Sequence, residues 1–195
     1  MATIYYTATS LDGYLADPDD SLEWLFRVER EWTGDSGDGP PAVEPESASY
    51  EEFIAGVGAL AMGATTYEWI LKNHIAGGAE WPYSQPTWVF THRELEVAPG
   101  ADIHFVEGDV APVHGEMTRV AADGNVWIVG GGELAGRFHD AGLLDEIVAT
   151  IAPVTLGAGA PLLPRTISDP PMRLVSVQQA GPFIEARFAI SRPSS

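Results

Sequence analysis

The stretch Val126-Trp127-Ile128-Val129-Gly130-Gly131-Gly132-Glu133-Leu134 limits the fold more than any other part of this chain. Its four apolar residues in a row suit a strand that is covered on both faces, as in the centre of a sheet. Three glycines follow at once. Leu134, Ala135 and Phe138 then recur at helical spacing, with Gly142 as a stop. A buried strand that turns directly into a helix is the building unit of a layered α/β protein.

The same stretch also bears on chemistry. Glycines let the backbone approach a ligand closely and take dihedrals closed to other residues. The helix that follows offers unpaired amides and the positive end of its dipole, which suits a pyrophosphate. A tight turn with no ligand explains the tripeptide about as well. The spaced GxGxxG pattern of the ordinary dinucleotide fold is not present.

Other segments extend the α/β pattern. Residues 3–8, 59–62, 87–90, 103–106, 126–129 and 146–153 read as strands, and residues 173–179 and 183–190 as an antiparallel hairpin around Gly181-Pro182. Residues 21–31 suit a short helix with Leu22, Leu25 and Phe26 on one side. Ser49-Tyr50-Glu51-Glu52 and Thr65-Thr66-Tyr67-Glu68 match capping boxes. The first predicts a helix carrying Tyr50, Phe53, Ile54 and Val57, and the second a helix through about Asn73. The Gly-, Pro- and acid-rich stretch near 33–46 is expected to be a mobile surface loop.

A chain of 195 residues with a 45% apolar content forms one domain without staples. With no cysteine, disulfides, thiolate metal sites and cysteine nucleophiles are excluded. The net charge of −18, with Lys72 the only lysine, opposes nucleic acid and anionic membrane surfaces. No run approaches the apolar length of a membrane span and the N-terminus is not a signal peptide, so a cytoplasmic location is expected. His74, His92, His104, His114 and His139 are scattered, and no metal site is expected.

Two further motifs carry chemical potential. Met62-Gly63-Ala64-Thr65-Thr66 again brings a strand to a helix start, now with two hydroxyls, although Thr65 could simply be a cap. Thr91-His92-Arg93 ends a strand with a hydroxyl, an imidazole and a guanidinium; arginine matches phosphate with two parallel N–H groups.

In this order and spacing, the segments resemble the dihydrofolate-reductase-like superfamily, nearest to the reductase (C-terminal) branch of riboflavin-biosynthesis proteins. Ser10-Leu11-Asp12-Gly13 is similar to the family's opening loop. Met62 to Glu68 is similar to its cofactor helix start, and Gly130 to Leu134 to its glycine stretch. Ala152-Pro153-Val154-Thr155-Leu156-Gly157-Ala158-Gly159 is close to the riboflavin branch.

The resemblance implies a three-layer α/β/α domain over residues 1–195. Its central sheet is mixed and mostly parallel, about eight strands wide, with a C-terminal antiparallel hairpin. It implies NADPH as cofactor. Ala8, Gly63, Ala64, Thr65, Thr66, Val129, Gly130, Gly131, Gly132, Glu133 and Leu134 would line the dinucleotide, and Thr91, His92 and Arg93 its 2′-phosphate. A cis Gly130–Gly131 peptide is expected. Ser10, Tyr14 and Trp24 fall on the substrate side, with Asp12 and Glu23 as catalytic candidates. The implied reaction is hydride transfer to a small heterocyclic, pterin- or pyrimidine-like substrate, in a homodimer.

Departures concern the substrate. Tyr14 stands where the riboflavin branch has a basic residue, Val129 where it has a glutamate, and Ala64 where dihydrofolate reductases have an arginine. Two other classes stay open: a non-catalytic NADPH-binding or regulatory protein of this fold, and a carboxylate-rich cation-binding protein resting on the acidic stretch alone.

Overall fold

The computed structural model of the chain describes residues 1–33 and 48–191. All but the first residue of the loop expected near 33–46 therefore falls outside the described residues. In chain order the elements are β1 (Thr3–Ser10), β2 (Tyr14–Ala16), α1 (Glu23–Thr33), α2 (Ala48–Ala55), β3 (Val57–Gly63), α3 (Ala64–Asn73), β4 (Thr87–Phe90), β5 (Ile103–Val106), α4 (Val110–Ala121), β6 (Asn125–Gly130), α5 (Gly132–Asp140), β7 (Glu146–Ala152), β8 (Ala160–Pro161), β9 (Arg173–Ala180) and β10 (Phe183–Ala189). One eight-stranded sheet has the order β5-β4-β3-β6-β1-β7-β10-β9, and β2 pairs with β8 in a small second sheet. Strands β5, β4, β3, β6 and β1 pair in parallel, whereas β10 pairs antiparallel with both β7 and β9. No helix among the described residues is long and apolar enough to cross a membrane.

The chain divides into two compact units. The first comprises Met1–Tyr5 and Gly56–Asp145. Its strands are short and apolar because both faces are covered: Ala59, Leu60, Ala61, Met62, Val89, Val126 and Ile128 are all fully buried. Tyr67 stands in this core against Trp81 and Phe105. Its hydroxyl donates to the Glu96 carbonyl at 2.6 Å and accepts the Ala98 amide at 2.9 Å, which ties the loop after β4 to α3.

In the second unit, β10 lies between β7 and β9. Tyr6 packs edge-on against Phe53 at 4.7 Å. Its hydroxyl donates to Glu185 at 2.6 Å, and Glu185 also accepts from Gln178 at 2.9 Å. Burial, followed by the Glu185 contact, pushes the Tyr6 hydroxyl far above its ordinary range. Strand β9 ends the sheet and leaves Leu174, Val175 and Val177 exposed, with Ile184 beside them on β10.

Three local expectations change. Helix α2 already starts at Ala48, and Val57 opens β3 rather than closing the helix. Gly56 separates the two, and glycine is a poor helix continuer. Helix α3 starts at Ala64 with Gly63 as N-cap, so Thr65 lies inside the first turn and caps nothing. Helix α4 is an element the sequence reading passed over because it contains Pro112 and Gly115. Asp109 caps it by accepting the Ala111 amide, and Pro112 sits in the first turn, where a missing N–H costs no helical bond. Its buried Val110, Val113, Met117 and Ala121 follow helical spacing.

Beneath α4 a polar group is held inside the first unit. His114 Nε2 is 2.7 Å from the Thr3 hydroxyl, and the Thr3 amide donates to Asp145 at 2.8 Å. Burial holds the imidazole below the usual histidine value of 6.5, opposed in part by Asp145. The folded state therefore prefers neutral His114 more than the unfolded chain does. Its contribution to stability is complete above the unfolded value and is lost as pH falls from there toward the folded value. Denaturant midpoints at pH 7.5 and 5.5 check this. The fall in stability between the two should be smaller for His114→Gln than for the unaltered chain, and equal falls would contradict it.

Candidate functional site

The first unit sets two helix N-termini side by side. Strands β3 and β6 are parallel neighbours, with Met62 paired to Gly130. Each runs at its carboxyl end straight into a helix, β3 into α3 and β6 into α5. The N-caps are Gly63 and Gly131, and neither helix has a side chain capping its first amides. Helix α4 of the same unit has the ordinary arrangement, with Asp109 as cap. Glycine caps on α3 and α5 leave their first-turn N–H groups available to an outside acceptor.

The glycines have distinct jobs. A Cβ on Gly130 would stand 2.7 Å from Thr66 Oγ1, so glycine there lets the hydroxyl of α3 close onto β6. Gly131 has φ 94° and ψ 107°, a conformation that side chains rarely allow. The space a Cβ would take there holds only Leu134 Cβ, at 3.8 Å. A pyrophosphate fits this cradle: two amide-bearing helix ends, the Thr65 and Thr66 hydroxyls, and free room above Gly131. The expected cis Gly130–Gly131 peptide is not found. Asp169–Pro170 is the one cis bond among the described residues. The unusual dihedrals of Gly131 make the turn without a non-proline cis bond, which costs about 2.5–4 kcal/mol.

Thr91, His92 and Arg93 follow β4 in the same unit. The Thr91 hydroxyl accepts the Arg93 amide at 2.9 Å and so fixes where the arginine leaves the chain. The guanidinium meets Glu68 of α3 with both nitrogens, Nη1 to Oε1 at 3.0 Å and Nη2 to Oε2 at 2.7 Å. His92 Nδ1 lies 3.1 Å from Glu107. Both pairs are solvent-exposed.

The second unit holds the residues read as substrate-side. The Ser10 hydroxyl donates to Asp12 at 2.6 Å and accepts the Tyr14 amide at 2.9 Å. The Leu156 and Gly157 amides donate to Asp12 at 3.0 and 2.7 Å. These bonds, the Ser10 bond first, hold the Asp12 carboxyl below its usual range. Such a group stays ionised at neutral pH, so its geometry makes it the anchor of the loop at 154–157 and a poor proton donor. Glu23 opens α1 on the surface, in an ion pair with Arg30 of the same helix. Trp24 is half-buried, and its indole N–H is buried with no hydrogen-bond acceptor.

Glu29 is a candidate that the sequence reading did not single out. It is half-buried on α1, and burial raises its carboxyl above the usual range. A signal existed. Leu22, Leu25 and Phe26 form the apolar stripe of α1, and one turn further the stripe carries an acid. Among the described residues no group of three or more acidic or histidine side chains is placed to hold a metal.

The family model for the RibD C-terminal domain matches residues 80–185, more than half the chain. The protein belongs to the RibD C-terminal domain family. This chain is 29% identical over 187 residues to the Bacillus subtilis (strain 168) protein YwjB, described as uncharacterized, covering 95% of this chain and 96% of that protein. A Shewanella sp. PV-4 protein named for riboflavin biosynthesis superposes with a TM-score of 0.74 at 26% identity, covering 98% of this chain and all of the other. Dihydrofolate reductase from Enterococcus faecalis, a complex with NADP(H), superposes with a TM-score of 0.56 at 15% identity over 96% of this chain and 94% of that one. The fold of this RibD-family chain is thus dihydrofolate-reductase-like, as its mixed eight-stranded sheet with a terminal hairpin already indicates.

Proposed function

We propose that this chain is an NADPH-dependent reductase that passes a hydride to a small heterocyclic, pterin- or pyrimidine-like substrate. The observation that carries this reading is the pair of glycine-capped helix starts, α3 and α5, brought together by the Met62–Gly130 pairing. The backbone amides of Ala64, Thr65, Thr66, Gly132, Glu133 and Leu134 and the two threonine hydroxyls hold the pyrophosphate. Gly63, Gly130 and Gly131 keep side chains out of its way. Thr91, His92 and Arg93 receive the 2′-phosphate, with Arg93 offering its two-pronged guanidinium. Val129 completes the dinucleotide contacts proposed for the first unit. The E. faecalis reductase, solved with NADP(H) on a similar fold, supports this choice of cofactor.

Bound NADPH supplies the hydride. The protein's share is placement and a proton. We assign that proton to Glu29, whose burial keeps it protonated to higher pH than a surface carboxyl. Asp12, fixed in its ionised form, holds the loop at 154–157 beside Ser10 and Tyr14. Ser10, Tyr14 and Trp24 remain the proposed substrate contacts. The charge of −18 supports a small-molecule role with no nucleic-acid or membrane partner. For the exposed apolar residues of β9, the proposed partner is a second copy of this chain, paired edge to edge.

Three measurements test these assignments. Gly131→Val forces a β-branched residue into a conformation closed to it and fills the space above the turn. It should weaken NADPH binding at least a hundredfold by fluorescence titration while circular dichroism stays folded. Retained binding would reduce the glycines to a turn.

Glu29→Gln should leave NADPH affinity unchanged and lower turnover, measured as NADPH oxidation with pterins and pyrimidines, by about 10²–10⁴-fold. In the unaltered protein the rate should fall as pH rises through the elevated Glu29 value, and Glu29→Gln should lose that dependence. Full activity in Glu29→Gln would remove the assignment, while binding without oxidation of any substrate would mark a non-catalytic NADPH-binding protein.

Sedimentation at micromolar concentration should give twice the chain mass of 20.9 kDa, and Val177→Lys should return it to the single-chain mass. A single-chain mass without the substitution would contradict the dimer.

A further inference from the structure

The cation that the proposed site offers to a 2′-phosphate is already engaged. Arg93 meets Glu68 through Nη1 and Nη2 at 3.0 and 2.7 Å. Those parallel N–H groups are the ones a phosphate would use, because carboxylate and phosphate present the same two-oxygen edge to a guanidinium. The edge between Nη1 and Nη2 can serve one acceptor at a time. Glu68 stands on α3, one turn beyond the Thr65 and Thr66 hydroxyls, and Arg93 is fixed from the other side by the Thr91 hydroxyl. Beside it, His92 Nδ1 lies 3.1 Å from Glu107. Glu94 follows in the same loop. The Arg93 guanidinium therefore stands among carboxylates.

We infer that Glu68 sets the cofactor preference, by holding the Arg93 guanidinium against the 2′-phosphate and so narrowing the advantage of NADPH over NADH. This rests on the reading above, in which Arg93 receives that phosphate. NADPH must displace the Glu68 carboxylate and then keep a dianion close to it. NADH carries a hydroxyl at that position; it has no charge to be repelled and can donate to Glu68. The pair is exposed, with side-chain accessibilities of 54% and 41%, so it opens without disturbing the core. An exposed ion pair adds little to stability, and replacing Glu68 leaves the fold intact. Glu68 is thus a positioning residue that acts through Arg93.

Dissociation constants for NADPH and NADH, measured by fluorescence titration at low salt, test this in the unaltered chain, Glu68→Gln, Arg93→Leu and the double variant. Glu68→Gln should tighten NADPH about three- to tenfold and change NADH by less than twofold. The gain should vanish when Arg93 is also Leu, since no guanidinium remains to be released. Unchanged NADPH binding in Glu68→Gln, equal changes for both nucleotides, or a gain that survives in the double variant would overturn the role of Glu68 while leaving the reductase reading in place. Failure of the unaltered chain to bind either nucleotide would overturn both.

Discussion

The parallel pairing of β3 with β6 is the constraint on which the candidate site depends. Parallel neighbours end on the same side of a sheet, and a strand that runs without a loop into a helix delivers the helix start to that side. Because Met62 pairs with Gly130, the first turns of α3 and α5 reach the same level. No single residue of the cradle has a large electrostatic effect. Two helix ends share the work, each with partial positive charge and unspent amides. This matters in a chain whose charge is −18, because backbone amides attract an anion without needing lysines.

The caps show that this arrangement is selective. All three helices that follow parallel strands in the first unit begin in the same way topologically. Only α4, which has no glycine start, is capped by a carboxylate, on Asp109. A similar side chain at Gly63 or Gly131 would satisfy its own helix and put negative charge where a pyrophosphate must go. A glycine N-cap in place of Ser, Thr, Asn or Asp gives up only a few tenths of a kcal/mol of helix stability at each end. The deep burial of Leu134, Ala135 and Phe138 on α5, and of Tyr67 and Ile70 on α3, holds both helices in place without caps.

Much of this was legible in the sequence, for identifiable reasons. Val126 to Val129 form an apolar run bounded by glycines, and such a run has few structural uses besides a central strand. The hairpin of β9 and β10 announces itself through Gly181-Pro182 between β-rich segments. What escaped the sequence depended on side-chain geometry or on local exceptions. Pro112 and Gly115 hid α4 although its apolar spacing was regular. Thr65 matched a capping box, yet with Gly63 as N-cap the helix starts two residues earlier than that box allowed. Glu23 drew attention by standing next to Trp24, whereas the raised carboxyl on α1 is that of Glu29. Two of the donors to the Asp12 carboxylate, the Leu156 and Gly157 amides, lie 144 and 145 residues away in sequence and leave no local trace. The engagement of Arg93 by Glu68 lies 25 residues apart in sequence and gives no periodic signal.

The central claim is that a nicotinamide dinucleotide rests on the two uncapped helix starts. Amide chemical shifts of the ¹⁵N-labelled protein, followed as NADPH is added, test it residue by residue. Saturable shifts should centre on Ala64, Thr65 and Thr66 and on Gly131 to Leu134, with the Ala111 amide, already bonded to Asp109, left in place. Binding that leaves the α3 and α5 starts unmoved, or no binding at millimolar NADPH, would contradict the account.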